Sequence, residues 1–382
     1  MRWRVVLVAM ACAGVSQAFG RFSYSLLLTD VRDDLGISNT VAGTLGSANL
    51  AAYLVGTLVV SVVVGRAGLS RTTRIGVTGV AAGLLLLSWG PSVPWAFVGL
   101  VTTGLFGAAV WITAPGLATA GLDPSRRGTA IGIVGTGIGL GIVATSVLEA
   151  TVGEGNWRSV YRIEAAVAVV VAVLALVTMR GGAPVSSGLA GLAAVRQVPR
   201  WRPLLWTYGL FAMSMSLFMT FLVAVLEEDA GWSSSSAALA FTALGVGTVV
   251  GGALFGPMSD RWGRPRVLAL ALTVVAVTAV VVPTGSRPWA ILASFAFGAA
   301  FTGVPTTVAA RISDHVRAES FGAAFGVATL AFGAGLTVGP QLGGVLGDVT
   351  GSFRPGFAVA AVCAAAGAVL SVERGAPQRE TA

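Results

Sequence analysis

Long apolar runs fill most of this chain, and short gaps between them hold most of the charged residues. A helix needs about 20 apolar residues to cross a bilayer, whereas barrel strands are about 10 residues long with alternating polarity. The pattern therefore predicts membrane-spanning helices. Twelve are expected, at residues 4–29, 40–64, 74–90, 95–119, 129–150, 159–179, 203–226, 236–259, 267–283, 289–310, 320–346 and 355–372.

The composition supports an all-α integral membrane protein. Of 382 residues, 55% are hydrophobic and only 10% are charged, whereas soluble domains carry about 25% charged residues. The basic start and apolar stretch at Met1–Gly14 resemble a signal peptide. The apolar run continues to Leu28, however, so we expect a retained first span.

The distribution of arginine predicts the orientation of the chain. All basic residues are arginine, and 18 of the 24 fall in gaps on one side of the predicted membrane, five on the other, with Arg21 inside a span. Cytoplasmic loops carry an excess of Arg and Lys, so both termini are expected in the cytoplasm, and the protein in the cell membrane. The net charge of +8 is scattered through these gaps rather than along one face, which argues against a nucleic-acid partner.

The gap at residues 180–202 divides the twelve spans equally. It is rich in glycine, serine and arginine and has no acid. We interpret it as a cytoplasmic linker between a six-helix bundle at 1–179 and a second at 203–372, followed by a cytoplasmic tail at 373–382.

The two halves repeat each other. Four segments of the first half match segments of the second half in the same order, 191 to 196 residues later. The pairs are Gly65–Gly68 with Asp260–Gly263, Phe106–Ala109 with Phe297–Ala300, Asp123–Arg126 with Asp314–Arg317, and Trp157-Arg158 with Phe353-Arg354. Such internal repeats are typical of transporters, whose substrate site lies near the midplane between the halves.

The loop after span eight carries the clearest motif. Gly256–Arg266 reads GPMSDRWGRPR and resembles the Gly-x-x-x-Asp-Arg-x-Gly-Arg-x-Arg motif of the major facilitator superfamily. Together with the repeat, it makes the whole chain similar to that superfamily, and Gly20–Tyr24 and Ala42–Asn49 are similar to a poorly characterised bacterial branch. The resemblance implies two pseudo-symmetric six-helix bundles and a secondary transporter that works by alternating access.

Departures from the superfamily pattern bear on the coupling mechanism. Gly335–Gly344 resembles the Gly-x-x-x-Gly-Pro-x-x-Gly-Gly motif of antiporters, but in span eleven rather than span five. We expect Gly335, Gly339 and Pro340 to act in helix packing, and the displaced motif weakens the inference of antiport. Leu100 or a neighbour stands where proton-coupled relatives have an arginine, which weakens the inference of proton coupling. Symport with protons, exchange and uniport stay open.

Arg21 is the leading candidate for substrate binding, because it is the one arginine that lies away from the ends of a predicted span. A charge at membrane depth is costly, so it normally faces a cavity or a partner, and a guanidinium suits carboxylate, phosphate or sulfonate groups. The alternatives are an ion pair with Glu149 or Glu164, both expected at solvated ends of their spans, or an arginine that extends to the membrane surface.

Further residues are predicted to share that cavity, from the spans that face it in the superfamily. Asn49 and Tyr53 lie four positions apart on one helix face; ordinary packing is the alternative for every aromatic side chain. The full set is Tyr24, Asn49, Tyr53, Trp111, Tyr208, Phe211 and Met215.

The loop motif predicts a gate. Asp260 is expected to bond with the helix start near Gly128 or to pair with Arg311, which would hold the cytoplasmic side closed. In the first copy Gly65 replaces the acid beside Arg66, so the second copy should be the stronger latch. Arg261, Gly263 and Arg264 complete the motif. The alternative for the two arginines is that they serve only as the positive charges that orient the protein in the membrane.

Other functional classes fit less well. Without lysine there is no Gly-x-x-x-x-Gly-Lys nucleotide loop, and a single histidine with two separated cysteines favours neither a metal site nor an enzyme. We expect no cofactor and a monomer in the lipid bilayer. The expected substrate is a small organic solute, for which an anion is one candidate class, and coupling of its transport to protons is one option. The alternative is an exporter of lipophilic compounds; a channel or a transporter-like sensor is less favoured.

Overall fold

The protein is a bundle of long helices. The computed structural model describes residues 2–120, 124–152, 155–179, 191–316 and 318–372. Within these residues, twelve helices are long and apolar enough to cross a membrane, so the predicted number is confirmed. The tail at 373–382 and residues 180–190 of the linker lie outside the described residues.

The helical segments match the predicted spans to within several residues. Spans 1 to 6 comprise Arg2–Ala13 with Gly14–Phe22 and Ser23–Leu26, then Asn39–Ala67, Leu69–Trp89, Val93–Thr119, Pro124–Val152 and Trp157–Thr178. Spans 7 to 12 comprise Trp201–Ala224 with Val225–Asp229, then Ser234–Trp262, Arg264–Val281, Arg287–Ser313, Ala318–Thr350 and Arg354–Ser371. Short helices Leu28–Leu35, Gly191–Val195 and Val282–Thr284 lie between them.

The repeat is visible in the backbone of the turns after spans 2 and 8. Gly68 and Gly263 both have positive φ, +76° and +87°, a conformation that glycine adopts without a steric penalty. Each turn joins two long helices with a single glycine between them, which is why span 3 begins five residues earlier than its apolar pattern suggested.

Small residues let the helices approach closely. A Cβ on Gly335 would collide with the carbonyl oxygen of Gly209, and one on Gly339 with Ser216 Oγ, so span 11 packs directly on span 7. Pro340 contacts span 2, where a Cβ on Gly43 would meet its carbonyl oxygen. Close backbone approach is what drives helix association in lipid.

Spans 1 and 7 depart from regular α-helix. Gly14–Phe22 and Val225–Asp229 are π-helical, with hydrogen bonds that reach back five residues, as from Ser23 N to Ala18 O. Such stretches are frequent at functional sites. In span 1 this irregular segment contains Arg21, so the side chain is carried by the least regular part of the helix.

At one end of the bundle, polar contacts join the two halves. We call it the Arg32 end. Arg32 forms an ion pair with Glu228 (2.5 Å), and Thr29 Oγ1 donates to Glu227 Oε2 (2.8 Å). The backbone N–H groups of Asn39 and Thr40, at the start of span 2, donate to Asp348 at 3.0 and 2.7 Å.

The opposite end, which we call the Asp260 end, is organised differently. Arg264 binds Asp260, Asp314 (3.0 Å) and Ser259 (2.6 Å), all within the second half. Arg311 is buried and donates to the carbonyl of Pro199 in the linker (3.3 Å). Among the described ion pairs, the one that bridges the halves, between Arg32 and Glu228, lies at the Arg32 end.

Candidate functional site

A small cavity lies between the two halves, beneath the contacts of the Arg32 end. It is lined by residues of spans 1, 2, 7 and 11. The lining residues are Arg21, Phe22, Tyr24, Ser25, Gly46, Asn49, Leu50, Met215, Ser216, Met219, Thr220 and Leu336. Of the residues that the sequence predicted for the cavity, Arg21, Tyr24, Asn49 and Met215 line it directly. Tyr53 packs against Arg21.

Arg21 holds the only charge among the residues that line this cavity. Its guanidinium lies 5.0 Å from the ring centres of Phe22 and Tyr53, an arrangement that attracts a cation to the ring faces. Its Nη1 donates to Gln17 Oε1 across a long 3.4 Å. The ion pairs found among the described residues do not include Arg21.

The unpaired polar atoms around Arg21 are all donors. Nε and Nη2 of Arg21, and Nε2 of Gln17, are buried without a hydrogen-bond partner among the described residues. Buried donors are normally satisfied, and each one left alone costs about 1–3 kcal/mol. Gln17 was not predicted from the sequence. Its position four residues before Arg21, on the same helix face, could have indicated that the two side chains meet.

Asn49 and Tyr24 have structural hydrogen bonds as well as a place on the cavity wall. Asn49 Nδ2 donates to Gly20 O (3.0 Å), Leu100 O (2.8 Å) and Thr103 Oγ1 (3.0 Å), which ties spans 1, 2 and 4 together. Tyr24 Oη donates to Ala42 O (2.8 Å) on span 2.

Two predicted aromatic residues of span 7 form a cluster beside Arg21 rather than a wall of the cavity. The rings of Tyr208 and Phe211 are stacked, and Phe332 of span 11 contacts both, with its centre 4.7 Å from that of Tyr208. Tyr208 interacts electrostatically with Arg21 and Tyr53. Phe211 is fully buried in this cluster.

Trp111 does not line the cavity, contrary to the sequence analysis. Gly104, which packs against the backbone of Asn49, marks the level of the cavity on span 4. Trp111 lies seven residues further along, about 10 Å of helix rise, and is displaced towards the Asp260 end. It is half-buried against the core.

The partners proposed for Arg21 and Asp260 are corrected by the structure. Glu164 is fully buried rather than solvated, and it accepts hydrogen bonds from Ser23 and Thr145 instead of pairing with Arg21. Asp260 pairs with Arg264 rather than Arg311, because the single-glycine turn brings Arg264 back beside it, four residues on.

The remaining members of the gate motif are placed around the same turn. Arg261 is exposed, Gly263 forms the turn itself, and Arg66 is exposed on the matching turn of the first half. The side chains near Gly128 lie outside the described residues, so a bond from Asp260 to that helix start stays a prediction.

Known proteins resemble this chain over nearly its full length. The family described as "Uncharacterised MFS-type transporter YbfB" matches residues 13–372. The uncharacterised MFS-type transporter YfhI of Bacillus subtilis is 25% identical, over 96% of this chain and 93% of that protein. A chloramphenicol resistance protein of Streptomyces lividans is 28% identical, over 92% and 90%.

The fold has a counterpart among solved structures. A bacterial homologue of the human lysosomal transporter Spinster, in an inward-facing and unoccupied conformation, superposes with a TM-score of 0.73. The two sequences are 17% identical, and the match covers 97% of this chain and 94% of that one. The twelve spans, the duplicated halves and the family match lead to one assignment: the chain belongs to the major facilitator superfamily of membrane transporters, in the family of YbfB-type transporters.

Proposed function

We propose that this protein is a secondary transporter of a small organic anion, that it works by alternating access, and that Arg21 binds the anionic group. The observation that carries the proposal is the set of three unpaired buried donors, on Arg21 and Gln17. An anion presents acceptors to all three and removes the cost of an unpaired cation in the membrane interior.

The rest of the cavity favours a solute with an apolar body. Met215, Met219 and Leu336 contribute apolar side chains to its lining, and methionine adapts to irregular apolar surfaces. Phe22 and Tyr53 pack against the guanidinium. A small carboxylate or sulfonate attached to an aromatic or aliphatic group satisfies both parts of this lining.

A matched pair of probes tests the charge requirement. Benzenesulfonate and neutral benzenesulfonamide have the same shape, so thermal unfolding of the detergent-solubilised protein separates charge from size. We expect the anion to raise the unfolding temperature and the amide to have a much smaller effect. Carboxylates of increasing chain length, each beside its amide, extend the series.

Variants connect that effect to Arg21. Arg21→Gln should abolish stabilisation by anions, and exchange of labelled anion in proteoliposomes should fall at least tenfold, since a charge-assisted hydrogen bond is worth about 1.5–3 kcal/mol. Arg158→Gln removes an arginine that pairs with Asp34 away from the cavity, and serves as the control. Equal stabilisation of the Arg21→Gln variant by anions would contradict the proposal.

Export of lipophilic compounds is the second candidate. It is favoured by the aromatic cluster of Tyr208, Phe211 and Phe332, and a relative carries the name chloramphenicol resistance protein. Tetraphenylphosphonium and chloramphenicol belong in the same unfolding assay. Stabilisation by these compounds alone, unchanged by Arg21→Gln, would replace the anion proposal with this one.

We further propose the orientation and division of the chain suggested by its charges. Both termini and the linker at 180–202 would face the cytoplasm, with bundles at 1–179 and 203–372, and a monomer would be the working unit. The arginine distribution supports this proposal. Reporter fusions at the C-terminus and in the loop after span 7 should be active on opposite sides of the membrane.

A further inference from the structure

Glu164 of span 6 is enclosed by three helices. Its side chain is 0% exposed. Oε1 accepts hydrogen bonds from Ser23 Oγ of span 1 (2.5 Å) and Thr145 Oγ1 of span 5 (2.6 Å). Oε2 is buried with no hydrogen-bond partner among the described residues.

The ion pairs found in the described part of the chain do not include Glu164. Its own helix places Tyr161 one turn away, with a buried hydroxyl that likewise has no partner among the described residues. Tyr24 of span 1 interacts electrostatically with Tyr161, and span 5 places the acid Glu149 one turn beyond Thr145. Span 3 also packs on span 6, and its buried residues are uncharged, as are Val77, Val80 and Leu84.

Arg21 is the nearest cation along span 1, but it does not pair with Glu164. It binds Gln17 and packs on Phe22 and Tyr53 instead. A buried carboxylate without a cation costs several kcal/mol, whereas the protonated acid can be hydrogen-bonded by neutral groups. The hydroxyl partners of Glu164 fit the neutral acid.

Span 1 connects this acid with the cavity. Ser23, which bonds to Glu164, is two residues after Arg21 and directly follows the π-helical segment Gly14–Phe22. A movement of this irregular segment when Arg21 takes up an anion would also move Ser23. The hydrogen bonds of the acid would then change with occupancy of the cavity.

We propose that Glu164 is the proton-binding site of this transporter and that one proton is carried there for each anion bound at Arg21. The carboxylate takes the proton from a hydronium ion and leaves water, and it returns the proton to water when the movement of span 1 admits water that solvates the charged carboxylate. The coupling part of this inference rests on the proposed function, whereas protonation of Glu164 stands without it. A monovalent anion and one proton together move no net charge.

Infrared difference spectroscopy tests the protonation state without any solute. The full chain in lipid should show the C=O stretch of a protonated carboxylic acid at neutral pH. Glu164→Gln should remove that band, and Glu149→Gln, on the neighbouring span, should leave it in place. An identical band in Glu164→Gln would overturn the proposal. If Glu164→Gln does not fold, Thr145→Ala should shift the band, and an unshifted band would count equally against it.

Transport of benzenesulfonate in proteoliposomes tests the coupling. With one proton per anion, a pH difference of one unit should give about tenfold accumulation at equilibrium, and a membrane potential alone should give none. Glu164→Gln should exchange labelled anion across the membrane but accumulate none. Accumulation by Glu164→Gln equal to that of the wild type would refute proton binding at this residue, whereas lack of anion exchange by the wild type would instead refute the proposed function.

Discussion

The two ends of the bundle both carry charged side chains but use them differently. At the Arg32 end, the ion pair between Arg32 and Glu228 and several hydrogen bonds cross from one half to the other. At the Asp260 end, Arg264 forms ion pairs with Asp260 and Asp314, which both belong to the second half. Alternating access requires that the contacts between halves form at one end at a time. Among the described residues, the ion pair between the halves lies at the Arg32 end, and we infer that this end is the closed one in this conformation.

The comparison also explains where the cavity lies. Close backbone contacts between spans 2 and 11, at Gly43 and Gly344, lie between the Arg32 end and the cavity, which span 2 lines from Gly46 onward. The turn at Gly263 brings Asp260 to Arg264 and leaves these charges with partners in their own half. Contacts that hold a half together persist through the cycle, whereas contacts between halves must break.

The largest expected effect comes from forcing the Arg32 end apart. A Cβ on Gly344 would collide with the carbonyl oxygen of Asn39, and such overpacking costs about 1–3 kcal/mol. Gly344→Val should shift the population away from this closure by roughly tenfold or more. The distance between nitroxide labels placed after spans 1 and 11 should lengthen. Gly252→Val, at a glycine with nothing within 4 Å, is the matched control and should leave the distance unchanged.

A smaller effect is expected from the ion pair at the same end. Arg32→Gln removes the contact with Glu228, which is partly exposed, so the loss should be about 0.2–1 kcal/mol and should shrink at high salt. The same label distances should show an opening of a few-fold at most. Arg158→Gln is the control, because its ion pair with Asp34 stays within the first half. Equal opening by both variants would show that the pair does not distinguish the halves.

The smallest change in this conformation is expected at the other end. Asp260→Asn removes an exposed pair inside one half, so the label distances should not move. If Asp260 forms a latch when the Asp260 end closes, anion exchange should nevertheless slow, and more than in Arg66→Ala, since Gly65 replaces the acid in the first copy. Comparable slowing by Arg66→Ala would indicate a latch shared by both copies.

Much of the architecture followed from one-dimensional pattern. Run length gives the number of spans because a helix must satisfy its backbone hydrogen bonds inside the bilayer. The repeat paired Gly65–Gly68 with Asp260–Gly263, and the structure has matching turns at Gly68 and Gly263. Arg21 was evident because a charge inside an apolar run is rare.

The tertiary structure decided which groups meet. The sequence offered Glu164 as a solvated partner for Arg21, but helix rotation turns it towards Ser23 and Thr145, where it is enclosed. The axial position of Trp111 likewise depends on the packing of span 4 against Asn49. Small residues such as Gly104 determine that packing. Hydropathy reports that a residue lies in the membrane; only the packing of neighbouring helices determines whether it faces lipid, a cavity or a buried hydroxyl.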